Sequence, residues 1–133
     1  MDVKELALTA INAMKYAYAP YSGCAVGAAL LTADGRVYTG CNIENAAFSP
    51  TICAERTAIY KAVSEGERAF AMLAVAGGKD GKVEGAFPPC GVCRQVLSEF
   101  CSPAMPILLV TDENGAYETH TLGELLPLAF NLD

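Results

Sequence analysis

The sequence predicts a three-layer α/β/α sandwich around a mixed sheet of five strands. Three observations carry that prediction. Helix-spaced and strand-like apolar runs follow one another in the order α-β-β-α-β-α-β-β-α. Asp-Gly and Asn-Gly turns join strand-like runs, which is the chemistry of antiparallel hairpins. No repeat, low-complexity tract or linker interrupts the chain, so residues 1–133 read as a single domain.

The elements follow in order. Leu6, Ala7, Ala10, Ile11, Met14 and Tyr18 recur at helical spacing between Val3 and Tyr18. The segment APYSG at 19–23 breaks that helix. A small apolar strand, CAVGAALLT (24–32), and VYTGCN (37–42) flank the turn ADGR. IENAAFSP (43–50) is irregular. A helix is expected over 51–64, ending near Gly66. FAMLAVAGG (70–78) is a continuous apolar strand, and 79–89 is a loop. CGVCRQVLSEF (90–100) is a short helix with Leu97 and Phe100 on one face. Two strands around Asn114-Gly115 follow, and a short terminal helix and tail are expected over 122–130. The pattern leaves strand order open.

Composition excludes several function classes. A chain of 133 residues, 53% hydrophobic, can bury a real core without staples. Its net charge of −6 argues against a nucleic-acid or anionic-membrane surface. The apolar runs are far too short to span a membrane. MDVKELALTA has no signal-peptide pattern, so a cytoplasmic protein is expected. In that reducing compartment the six cysteines point to metal binding, catalysis or burial and not to disulfides. Apolar richness in so small a chain also points to oligomerisation.

The chemistry concentrates in two short motifs. In PCGVC, Cys90 and Cys93 are spaced to present two thiolates to one metal ion. A thiol where a helix begins ionises more easily, because the helix N-terminus favours an anion. A redox pair or two buried thiols are the alternatives. Cys53 also stands where a helix begins and is the best third ligand. Three protein ligands with one open position describe a catalytic zinc site, whereas a structural site would be closed by a fourth. His120 reads as a surface or capping residue, and Cys24, Cys41 and Cys101 as small hydrophobes. Glu55, two residues after Cys53, is a carboxylate that can take a proton from a metal-activated water and pass it on. Arg56 can offset the excess negative charge of three thiolates by hydrogen bonding to sulfur. In isolation, Glu55 and Arg56 would each read as solvated helix residues.

These residues resemble a family. CAERTA (53–58) followed by PCGVCRQV (89–96) is similar to the small, homotetrameric zinc-dependent cytidine deaminases, and C-x-E with P-C-x-x-C is the known signature of zinc deaminases. APYS with VGAALLT, GCNIEN, KAVSEG and ELLPLAF extend the resemblance over nearly the whole chain. It implies the cytidine deaminase-like fold and one Zn²⁺ per subunit on Cys53, Cys90 and Cys93, with Glu55 as proton shuttle. It implies that Asn42 and Glu44 bind the ribose hydroxyls. The Ala54 backbone would contact the pyrimidine, and the Pro88 carbonyl would receive the leaving amine. Phe130 would stack on the base from a neighbouring subunit of a homotetramer. The implied substrates are cytidine and 2′-deoxycytidine, in pyrimidine salvage. Three positions depart from the family pattern: Cys24 where Phe is common, Phe48 where Tyr is common, and Pro88 where Ser or Thr is common. They bear on substrate range and leave the reaction type intact. The competing expectations are a deaminase for a modified nucleoside such as a blasticidin-type antibiotic, a purely structural zinc module, and a thiol redox protein.

Overall fold

The computed structural model describes residues 1–132. Helix α1 spans Val3–Ala13. Asp2 caps it, its carboxylate accepting from the Glu5 amide at 2.8 Å. The α-helix stops short of the expected Tyr18 and closes with a 3-10 turn over Met14–Tyr16. The cause is pairing elsewhere. Tyr18 donates its amide to Asn42 at 3.0 Å and accepts from the Glu44 amide at 2.8 Å, so its backbone is held extended.

Strands β1 (Cys24–Thr32) and β2 (Val37–Cys41) form the expected antiparallel hairpin. Its turn needs Gly35, whose φ is 95°. Strand β3 (Phe70–Lys79) lies antiparallel to β1 on its other side. Strand β4 (Pro106–Val110) pairs parallel to β3, and β5 (Tyr117–Thr121) pairs antiparallel to β4. The sheet is therefore mixed, five-stranded and ordered β2-β1-β3-β4-β5.

The period of two along each strand sorts the core into two layers. Ala29, Ala74, Ala76, Leu108 and Val110 face α1, against Leu6, Ala7, Ala10 and Met14. Val26, Ala28, Leu30, Leu73, Val75, Ile107 and Leu109 face the opposite way. That second face is covered by helices α2 (Ala54–Ser64), α3 (Gly91–Phe100) and α4 (Leu122–Leu125). The expected α/β/α sandwich is the observed one.

Helix limits differ from expectation in ways that matter for the site. Helix α2 starts at Ala54 and not at Thr51, because Ile52 is paired with Ile43 by two backbone bonds of 3.0 Å. Helix α3 starts at Gly91, one residue after Cys90. Helix α4 is short, four residues, and the expected tail begins after Leu125. Pro127 excludes Leu126 from helical geometry, and Leu126 sits at φ −139°.

Gly40 seats α2 on the sheet. A Cβ there would strike the Ala54 carbonyl oxygen and lie 2.6 Å from the Ala58 amide nitrogen. The helix backbone thus rests directly on the strand. Among the described residues, no helix is long and apolar enough to cross a membrane.

Candidate active site

Cys53 and Cys90 occupy equivalent positions, each the residue capping the N-terminus of its helix. Neither uses its side chain as a cap. Both thiols instead turn toward each other, with sulfurs 3.7 Å apart. Cys93, in the first turn of α3, is fully buried and brings the third sulfur. The three sulfurs all lie within 4.8 Å of one another. Two helix N-termini converge on this cluster and favour negative charge there.

The cluster fits a zinc ion. Sulfurs bound tetrahedrally at about 2.3 Å from zinc stand about 3.8 Å apart. The Cys53–Cys90 separation of 3.7 Å matches that spacing. Arg56, one turn into α2, donates from Nη2 to the Cys53 sulfur at 3.2 Å. That bond holds the positive group against the sulfur, while the buried Nε has no hydrogen-bond partner among the described residues. The charges are coupled accordingly. The Cys53 thiol is pushed down by its hydrogen bond to Cys93, with help from Arg56. Cys93 is pushed up, because it shares that bond and is buried beside Glu55. Arg56 is raised despite its burial, through bonds to Cys53 and Cys93.

Glu55 is the most buried carboxylate described, at 4% exposure. Burial pushes its pKa up to about 7, with the Cys53 charge adding to the rise. A carboxyl poised near neutrality can both accept and return a proton. It faces a cavity of about 300 Å³. Cys53, Ala54, Cys90 and Pro88 line the same cavity, together with Phe87 and Val26.

The remaining wall is a polar lattice. Asn42 accepts from the Val26 amide through Oδ1 and donates to the Cys24 carbonyl through Nδ2, both at 2.8 Å. Glu44 accepts from the Tyr21 and Ser22 amides at 2.9 and 3.1 Å, and from the Ser22 hydroxyl at 2.5 Å. The Ser22 hydroxyl holds the Glu44 carboxyl below the usual carboxylate range. Cys24, Asn42, Glu44 and Ser22 all line the cavity. Asn42 and Glu44 therefore already brace the 18–26 segment while retaining further lone pairs and an N–H toward the cavity.

Two predicted positions lie elsewhere. Phe48 is exposed at φ 61° and meets Tyr21 edge-to-face, ring centroids 6.2 Å apart. It borders an open depression shared with Tyr21, Ser22, Glu44 and Thr51, beside the main cavity. Phe130 lies in the exposed tail and lines a different cavity of about 330 Å³. A single chain does not bring Phe130 to its own pocket. Cys24 is half-buried and forms pocket wall, which fits the pocket position that the resemblance implies for it and not the reading as a plain small hydrophobe. Cys41 is likewise only half-buried, and Cys101 is buried as expected. His120 sits on β5 with Glu118 at 3.1 Å, apart from the sulfur cluster. Sequence reasoning did not single out Ser22, Thr51, Ile52 or Phe87, which all line the cavity. Ser22 carried a signal: a hydroxyl in a turn that meets a nearby carboxylate.

Comparison with known proteins agrees with this geometry. Residues 1–109 match the family model for the cytidine and deoxycytidylate deaminase zinc-binding region. A cytidine deaminase of Sporosarcina psychrophila is 52% identical over 131 residues, covering 98% of this chain and 93% of that protein. One from Halalkalibacterium halodurans is 47% identical over 133 residues, covering 100% of this chain and 97% of that protein. The crystal structure of a cytidine deaminase from Burkholderia pseudomallei superposes with a TM-score of 0.88 at 44% identity. That superposition covers 98% of this chain and all of the other.

Proposed function

The chain belongs to the zinc-dependent cytidine deaminases, and from that premise we propose that it hydrolyses cytidine and 2′-deoxycytidine to the uridine products and ammonia. The observation that carries the reading is the carboxyl of Glu55, buried in the same cavity that the three-sulfur cluster opens into.

Cys53, Cys90 and Cys93 hold the zinc, one ion per subunit. When bound, the metal supplies a Lewis acid that makes a water nucleophilic at neutral pH. Glu55 does the proton work. It would take one proton from that water and give it to ring N3, which makes C4 electrophilic. The water oxygen would then bond to C4, and Glu55 would carry the remaining water proton to the exocyclic amine as the C4–N bond breaks and ammonia departs. Three thiolates on a dication sum to −1, which weakens its Lewis acidity. The bond from Arg56 to the Cys53 sulfur draws that charge away.

The pocket walls orient the nucleoside. Asn42 and Glu44 take the ribose hydroxyls with their unused lone pairs and N–H. Their fixed positions mean little side-chain entropy is lost on binding. The Ala54 backbone meets the pyrimidine. Proline has no N–H, so Pro88 presents only an acceptor, suited to the departing amine. Cys24 leaves more room on the wall than a phenyl ring would. Phe48 borders the mouth from its own chain, and Phe130 reaches it from a neighbouring subunit, which makes the working unit a homotetramer of one-domain chains. The enzyme acts in the cytoplasm on free nucleosides, in pyrimidine salvage.

The test is a substrate panel. Zinc-loaded protein is incubated with cytidine, 2′-deoxycytidine and cytidine monophosphate, following near-ultraviolet absorbance. Turnover of both nucleosides, with the monophosphate far slower, is expected. No turnover of either nucleoside would refute the proposal. Light scattering should give four times 13.9 kDa, and a fully active monomer would refute the shared site.

A further inference from the structure

The segment that delivers Cys90 to the cluster contains Pro88 and Pro89, which have no backbone N–H. It can be fastened there only through its carbonyls. Arg94, one turn along α3, supplies the fastening. Its Nε donates to the Pro89 carbonyl at 2.8 Å. Its Nη1 donates to the Leu125 carbonyl, at the end of α4, at 2.6 Å. Both bonds carry charge from a planar group, so they fix direction as well as distance.

The far anchor is itself held. Thr121 and Glu124 form a reciprocal capping box at the start of α4. The Leu122 amide donates to Met105 at 3.0 Å. The next side chain on α3, Gln95, donates to the Phe130 carbonyl at 3.0 Å. Two consecutive residues after Cys93 thus hold the loop before the first α3 sulfur and the tail after α4. The Arg94 side chain makes no hydrogen bond to a sulfur. Its reach to the cluster runs through the single peptide that joins Pro89 to Cys90.

We infer that Arg94 is a positioning residue for the metal centre: its guanidinium ties the Pro88–Pro89 loop to the end of α4 and so fixes where the Cys90 sulfur stands. The inference rests on the three-cysteine zinc site proposed above. Loss of the tie lets the loop carrying Cys90, the most exposed of the three ligands, move away from the ion.

The test is the rate of zinc release from the holoenzyme to excess 4-(2-pyridylazo)resorcinol. Arg94→Ala should release zinc about tenfold faster or more, in the range of other residues that orient ligands. Arg94→Lys should fall between, because one ammonium cannot span both carbonyls. Leu108→Val, on the α1 side of the sheet, supplies a control for general destabilisation. It should lower the melting temperature yet release zinc at the wild-type rate. Release from Arg94→Ala at the wild-type rate overturns the inference. So does equal acceleration in Leu108→Val. If Arg94→Ala does not fold, Arg94→Lys decides: wild-type release from that variant overturns the idea. Wild-type protein that binds no zinc would overturn the metal reading itself, and the clamp with it.

Discussion

Gly40→Ala should damage catalysis more than stability. The added methyl meets helix backbone, which cannot swing aside as a side chain can. It would lie 2.6 Å from the Ala58 nitrogen, whereas ordinary contact begins at 3.4 Å, so α2 must lift by about 0.8 Å. The clash with the Ala54 carbonyl demands still more. Overpacking of this kind costs about 1–3 kcal/mol. Cys53 and Glu55 lie at the start of that helix and move with it. Displacing catalytic groups by about 1 Å costs on the order of a hundredfold in rate. Gly27→Ala is the matched control. Its methyl would strike the Ala10 carbonyl and lie 2.7 Å from the Met14 nitrogen, lifting α1 on the opposite face. Both variants are compared by urea unfolding and by the rate of cytidine deamination at a temperature where each is folded. Gly40→Ala should lose about a hundredfold in kcat, while Gly27→Ala keeps most of its activity. Equal activity losses in the two would refute the reasoning. So would a Gly40→Ala protein with wild-type rate and stability.

Two further predictions concern buried polar groups. Asn42→Ala strands the Val26 amide and the Cys24 carbonyl, so it should cost about 2 kcal/mol in urea unfolding and also raise KM for nucleosides. A raised KM with unchanged stability would sink the bracing role. Glu55→Gln should stabilise the zinc-free protein in a pH-dependent way. The folded carboxyl has its pKa raised from the usual 4.5 to about 7, so the folded state holds the proton more tightly than the unfolded one. Its contribution is favourable below pH 4.5 and is lost as pH rises through 7. The gain from Glu55→Gln should therefore be near zero at pH 4 and reach about 3 kcal/mol at pH 8. A gain independent of pH would contradict the burial argument.

Legibility in the sequence followed the range of the interactions involved. Helical spacing and continuous apolar runs marked the α-helices and strands, and the Asp-Gly and Asn-Gly turns placed both hairpins. Strand order was not legible, because pairing of β1 with β3 depends on contacts far apart along the chain. Helix ends were misplaced where distant backbone pairing competes with local propensity. Ile52 pairs with Ile43 and delays α2, and Tyr18 pairs with Asn42 and shortens α1. The sulfur cluster was legible because ligand spacing and helix starts are local features. The bracing by Asn42 and Glu44 was not, since both reach across more than fifteen residues to the 21–26 segment. Arg94 read only as part of a motif, because its second anchor, Leu125, lies 31 residues away.

The most direct measurement of the central claim compares cytidine deamination by wild type and by Glu55→Ala, each shown to hold one zinc per chain. General acid–base catalysis by a positioned group contributes about 10²–10⁴-fold. The account predicts a loss on the order of 10³ in kcat for Glu55→Ala, with zinc content unchanged. A zinc-loaded Glu55→Ala protein that deaminates cytidine at the wild-type rate would contradict it.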